Sequence, residues 1–154
     1  FSFEAIPQRE WRLPMQMAKR TVPANVQAFD PITEKRYRHS WTMRLFFNVM
    51  NKLQRVVVED YALKKIETGE VVAMGFTTAQ TKPGGRHSIR LVLGPEQAEL
   101  ALFLIESLLY KVKRLSPEHV VETVLWEWCY FSLAAHQKAG FESRKEGQRM
   151  GLVL

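Results

Sequence analysis

The sequence predicts an α/β (α+β) domain built on a mixed, mostly antiparallel sheet flanked by helices. Three observations carry that reading. Apolar residues recur at helical spacing over roughly the first fifty positions, take strand character from residue 54 to residue 93, and become helical again after Gly94-Pro95. Two strong turn signals, Glu67-Thr68-Gly69-Glu70 and Lys82-Pro83-Gly84-Gly85, divide the middle into three short strands, the pattern of an antiparallel meander. A strand, a long helix and another strand then follow between residues 87 and 126, the order of a right-handed parallel crossover.

The elements follow in order. Pro7, Pro14, Pro23 and Pro31 interrupt a helix-prone start. Asp30 reads as a helix cap with Pro31 in the first turn, and the helix runs to about Leu53 with Trp41, Leu45, Phe46, Val49 and Met50 near helical spacing. Residues 54–65 (QRVVVEDYALKK), 71–80 (VVAMGFTTAQ) and 87–93 (HSIRLVL) are the three meander strands. Residues 96–115 form a helix apolar nearly all round, expected to be buried on most of its surface and ended by Ser116-Pro117. Residues 119–126 (HVVETVLW) read as a strand of the sheet interior. A short helix over 129–139 closes at Gly140 in the left-handed conformation, and residues 141–154 make a hairpin through Glu146-Gly147.

The chain of 154 residues reads as a single domain, 1–154, with no repeat or linker to divide it. It lacks an initiator Met, so the sequence is also compatible with a fragment or one half of a longer protein. No apolar window reaches about 18 residues, so no membrane span is expected. The start lacks a signal-peptide pattern. A single cysteine, Cys129, leaves no internal disulfide and fits a reducing, cytoplasmic setting. Net charge of +6 favours anionic partners. The basic residues are scattered, however, and clusters such as Arg36-Tyr37-Arg38-His39 lie on helices where a solvated face is the default, which disfavours nucleic acid. His39, His87 and His119 have no metal-ligand spacing, and no metal is expected.

The tail from Ala134 to Leu154, with Gly140-Phe141 after a helix and Met150-Gly151-Leu152 at its end, resembles that of the GNAT acyltransferases. Leu93-Gly94-Pro95-Glu96 is similar to the Val-x-Pro-Glu that ends the fourth strand of that family, and the opening FSFEAI corresponds to its first strand. The resemblance covers about residue 30 to the end. It implies an acyl-coenzyme A-dependent N-acyltransferase, with acetyl-CoA or another acyl-CoA held where the fourth and fifth strands splay apart. The pantetheine would pair with backbone of Val92, Leu93 and Gly94. Counting back from Gly140, His136 stands at the position of the tyrosine that protonates the departing thiolate, and Ser132 and Cys129 stand at two positions of the same motif. An imidazole group, with an unperturbed pKa of about 6.5, suits proton transfer at neutral pH. Glu127 is the first choice of base for the acceptor amine, with Glu59 and Asp60 as alternatives.

One departure bears on the chemistry. The family places an Arg- and Gly-rich phosphate loop after this strand, whereas here the chain reads Glu96-Gln97-Ala98-Glu99, with two carboxylates expected at the helix start. Each would repel a pyrophosphate by about 1 kcal/mol. That opens a second reading, a non-catalytic GNAT-like domain used for protein interaction or for another ligand, with the aromatic run 126–131 filling the notch. A homodimer or a partner domain is admitted under either reading; the acceptor amine, small molecule or protein, is not specified.

Overall fold

The computed structural model describes residues 1–144. A five-stranded sheet runs in the order β1-β2-β3-β4-β5. Its strands are β1 (Ser2–Ile6), β2 (Val56–Lys64), β3 (Val71–Gln80), β4 (His87–Leu93) and β5 (Val121–Thr123). The first four are antiparallel and β5 joins β4 in parallel, so the mixed, mostly antiparallel sheet is as expected. Between β1 and β2 lie α1 (Arg12–Thr21), α2 (Ala24–Phe29), α3 (Glu34–Tyr37) and α4 (Trp41–Gln54). A 3₁₀ helix (Pro95–Leu100) leads into α5 (Ala101–Lys113), and a second 3₁₀ helix (Glu127–Ser132) leads into α6 (Leu133–Lys138).

Period-2 alternation sorts the sheet into two faces. On one face Tyr61, Leu63, Ala73, Ile89 and Leu93 pack with Leu104, Ile105, Leu108 and Val112 of α5 in a single core cluster. Gly75 sits where α5 comes closest, since a Cβ there would stand 2.7 Å from Leu108 Cδ1. The strand therefore needs glycine at that point for packing and not for a turn. Ala62 and Met74, alternate to this set and fully buried, belong to the opposite face, where α1 covers β3 and β4 with Met17 and Ala18 turned inward.

A histidine pair anchors the approach to β5. His87 Nε2 lies 2.9 Å from the carbonyl of Ser116, and His119 Nδ1 lies 2.7 Å from that of Gln80. A carbonyl only accepts, so each ring donates an N–H. The two rings stand 5.2 Å apart and both are buried, which ties the turn before β5 to the ends of β3 and β4.

Several local expectations change. Asp30 follows α2 and accepts from Arg36 at 2.8 Å, while Thr33 precedes the single turn of α3 without a side-chain capping bond. The long helix begins later, at Trp41, capped by Ser40 Oγ accepting from Met43 N at 3.3 Å. The single turn of α3 thus stands where its first turns were expected. α5 is buried along one stripe only, since Phe103 is 49% and Tyr110 63% exposed. β5 spans three residues and not eight. Gly140 does take positive φ, at +94°, as the helix stop required. Residues 141–144 form no strand, and the rest of the expected hairpin lies outside the described residues.

Candidate functional site

The parallel pair β4 and β5 opens into a gap. Register runs from His87↔Val121 to Ile89↔Thr123 and stops, while β4 continues to Leu93. On its other edge β4 stays paired with β3 through Leu93↔Ala73. Arg90 to Leu93 therefore present one unpaired backbone edge among the described residues. The cause is local: after Thr123 the chain leaves the sheet for the 3₁₀ turn at Glu127, and after Gly94 the ring of Pro95 removes a donor and ends β4. The two 3₁₀ segments that follow pack against each other. Of the residues expected here, Leu93 is buried, Val92 is half-buried and Gly94 ends the strand.

Thr123 is the residue that sequence reasoning missed. It is the last β5 residue to pair, and its Oγ1 is buried without a hydrogen-bond partner among the described residues. A buried hydroxyl with no partner costs about 1–3 kcal/mol, so its place at the mouth of a gap points to a ligand. The only signal in the sequence was a single threonine inside the apolar run VVETVLW.

The segment after Pro95 differs from the expected helix start. Gln97 has non-helical backbone (φ −113°, ψ 19°), so the 3₁₀ turn delays α5 until Ala101, and no acidic residue stands in the first turn of α5 itself. Glu96 instead folds its carboxylate back over Gly94, where an added Cβ would overlap its oxygens. The carboxylate is thus beside the end of β4.

A hydrogen-bond ladder joins three of the expected site residues. Ser132 Oγ donates to the carbonyl of Cys129 at 2.9 Å, and His136 Nδ1 donates to that of Ser132 at 2.9 Å. That bond fixes the ring and leaves Nε2 buried and without a partner among the described residues, with Phe141 edge-on at 5.7 Å. Burial pushes the Cys129 thiol up to about 12, which makes it a poor nucleophile at neutral pH. Glu127 falls on the second 3₁₀ helix, exposed, and not near the end of the fifth strand as expected, because β5 ends four residues earlier. Of the alternative bases, Glu59 accepts the Tyr61 hydroxyl at 2.5 Å. Asp60 lies on the other face in a row with Phe76 and Arg90; burial raises its pKa and Arg90 opposes the rise. The aromatic run divides: Phe131 packs against the core, while Trp126 and Tyr130 are 40% and 53% exposed.

A group with the parts of coenzyme A meets a mixed reception. The free edge of β4 fits an amide-bearing pantetheine. The Glu96 carboxylate and the lack of glycines after Pro95 do not fit a pyrophosphate.

The architecture can be compared with solved structures. A predicted acetyltransferase with acetyl-CoA from Clostridium acetobutylicum superposes with a TM-score of 0.60 at 12% identity, over 97% of this chain and 95% of that one. An aminoglycoside antibiotic 6′-N-acetyltransferase from Acinetobacter haemolyticus gives 0.56 at 10% identity, over 100% and 99%. The chain has the GNAT fold. A transcriptional regulator from Bacillus halodurans has a comparable likeness, with a TM-score of 0.54 at 15% identity over 98% and 99%. The GNAT fold is therefore established here, and activity has to be argued from the site. No family model matches the sequence, and no curated protein matches it. Among the described residues no helix is long and apolar enough to cross a membrane, and no group of three or more His, Cys, Asp or Glu could hold a metal ion.

Proposed function

We propose that this chain is a GNAT-type N-acyltransferase that uses an acyl-coenzyme A and an amine acceptor, in a reducing, cytoplasmic setting. The observation that carries the reading is the parting of β4 from β5 after Ile89 and Thr123, with a backbone edge from Arg90 to Leu93 that is unpaired among the described residues. Such an edge binds an extended amide chain as it would a neighbouring strand. The cofactor supplies an activated thioester. This chain's residues do the rest: the β4 edge orients the bound chain, Thr123 Oγ1 offers a hydrogen bond at the mouth of the gap, and His136 in its imidazolium form gives its Nε2 proton to the departing thiolate while Nδ1–H stays on the Ser132 carbonyl. Its ring is held by the Ser132 carbonyl, so the proton moves at one nitrogen only. Exposed Glu127 takes the proton of the incoming amine.

A second reading, a GNAT-like domain without catalysis, is favoured by one observation, the Glu96 carboxylate folded over Gly94. Calorimetry with acetyl-CoA separates the two. Micromolar binding is expected for the enzyme; no heat at millimolar ligand would leave only the fold. Glu96→Gln should tighten the binding, by about tenfold if the carboxylate meets a phosphate at close range. Thr123→Val should weaken it a few-fold to about tenfold, the worth of one hydrogen bond, while leaving the melting temperature unchanged or higher because an unpaired hydroxyl is removed.

A further inference from the structure

A second concave site lies away from the β4 edge, between the β1–α1 connection and the start of α4. The cleft holds about 540 Å³ and is lined by three arginines, Arg9, Arg38 and Arg44, with His39 and the indoles of Trp11 and Trp41; among the described residues no carboxylate lines it. That volume is in the range of small-molecule sites, about 300–1,000 Å³.

The charges cannot relax. A guanidinium does not give up its proton in a protein, so three of them around one cleft repel each other at every accessible pH unless an anion joins them. Neighbouring ion pairs do not remove the excess. Arg36 is held by Asp30 and Arg38 by Glu34 at 2.9 Å, the latter on an exposed rim where pairing contributes little. Arg9 and Arg44 make no ion pair with a described residue, and Arg44 is half-buried. Two guanidiniums, those of Arg12 and Arg38, already lie over Trp11 at 5.5 and 6.0 Å from the ring centre. Trp41 is 69% exposed, a large flat surface left bare beside the cationic groups.

We propose that this cleft binds a phosphate ester that carries a flat ring, with the phosphate between Arg9, Arg38 and Arg44 and the ring against Trp41. Several guanidinium forks around one anion suit the three outer oxygens of a phosphate better than the two of a carboxylate. An indole beside them suits a heteroaromatic base. The nucleotide end of a coenzyme and a separate nucleotide-like ligand share this chemistry.

The test is a calorimetric titration of the whole chain with inorganic pyrophosphate and with adenosine 5′-monophosphate, at low and raised salt. Both should bind, pyrophosphate through its higher charge and the monophosphate through its phosphate and ring together, and both more weakly as salt rises. Arg9→Ala/Arg44→Ala should lower both affinities by about tenfold or more, as loss of charge-assisted bonds requires. Trp41→Ala should lower only the affinity for the adenine compound. All the altered side chains are at least partly exposed, so circular dichroism and the melting temperature should stay at the parent values and exclude misfolding as the cause. Absence of binding at millimolar ligand, or the same affinity in parent and double variant, overturns the proposal. A further titration with acetyl-CoA in saturating adenosine monophosphate distinguishes the sources. Competition assigns the cleft to the cofactor's nucleotide end, and unchanged acetyl-CoA affinity assigns it to a separate ligand; each upholds the anion site. Its outcome is independent of the acyl-transfer reading, which fails only if acetyl-CoA itself does not bind.

Discussion

Helices α4 and α5 are alike in length and apolar content but opposite in burial. In α5, Leu104, Ile105 and Leu108 are 0% exposed; in α4 no residue is buried, and Trp41, Leu45, Val49 and Leu53 are 69, 56, 50 and 75% exposed. Those four α4 residues recur every fourth position and so form one continuous stripe. Topology makes the difference. α5 is the crossover between two parallel strands and must lie across β3 and β4, whereas α4 packs chiefly on β2, the strand it precedes. Apolar spacing gives the existence and face of a helix, and the connection decides what that face meets.

The largest effects should therefore lie under α5. Leu108→Ala should cost about 2–5 kcal/mol in urea denaturation, because the site is fully packed and a cavity would remain. Gly75→Ala should cost about 1–3 kcal/mol by overpacking, since the new methyl group would stand 2.7 Å from Leu108 Cδ1. Combined, the two changes should cost clearly less than their sum, because the truncated Leu108 leaves room for the added methyl. Strict additivity would show that α5 does not rest on Gly75.

This contrast also marks what the sequence made legible. The meander, the parallel return at β5 and the helix stop at Gly140 follow from local signals: turn glycines, a change of period and a residue able to take positive φ. The histidine that stands on the helix before Gly140 could be located by counting. The gap could not, because it depends on where β5 stops pairing, and HVVETVLW is apolar well past Thr123. Thr123 was invisible for the same reason: its lack of a partner is a property of three dimensions. Glu96 and Glu99 were legible as charges but not as positions, since the 3₁₀ turn at Gln97 moves the start of α5 beyond both. The Arg9/Arg44 cleft joins residues 35 positions apart in a region where proline spacing suggested helix and little more.

A smaller effect is expected on the sheet face opposite α5. Burial raises the pKa of Asp60 above its ordinary 3.8, against the pull of Arg90, so the folded state holds that proton more firmly than the unfolded chain does. Its contribution to stability is therefore full below the ordinary value and declines as pH rises through the raised one. Asp60→Asn should accordingly gain stability relative to the parent at neutral pH and lose that advantage under acid. Paired denaturation curves at the two pH values test this. A variant that is less stable at neutral pH would mean that the Arg90 attraction outweighs burial.

The smallest effect sharpens the comparison most. Leu45→Ala in α4 should change stability by no more than about 0.5 kcal/mol, since a side chain 56% exposed has little burial to lose and alanine is the better helix former. The same residue type at Leu108 is expected to cost several times more, so the pair measures position with chemistry held constant. Denaturation at two protein concentrations completes the test. A loss at Leu45 that exceeds about 1 kcal/mol and grows with concentration would show that a second copy covers the stripe in solution, because only an associating surface gains stability by mass action. A small loss independent of concentration would show that the apolar face of α4 is exposed to water in the free chain.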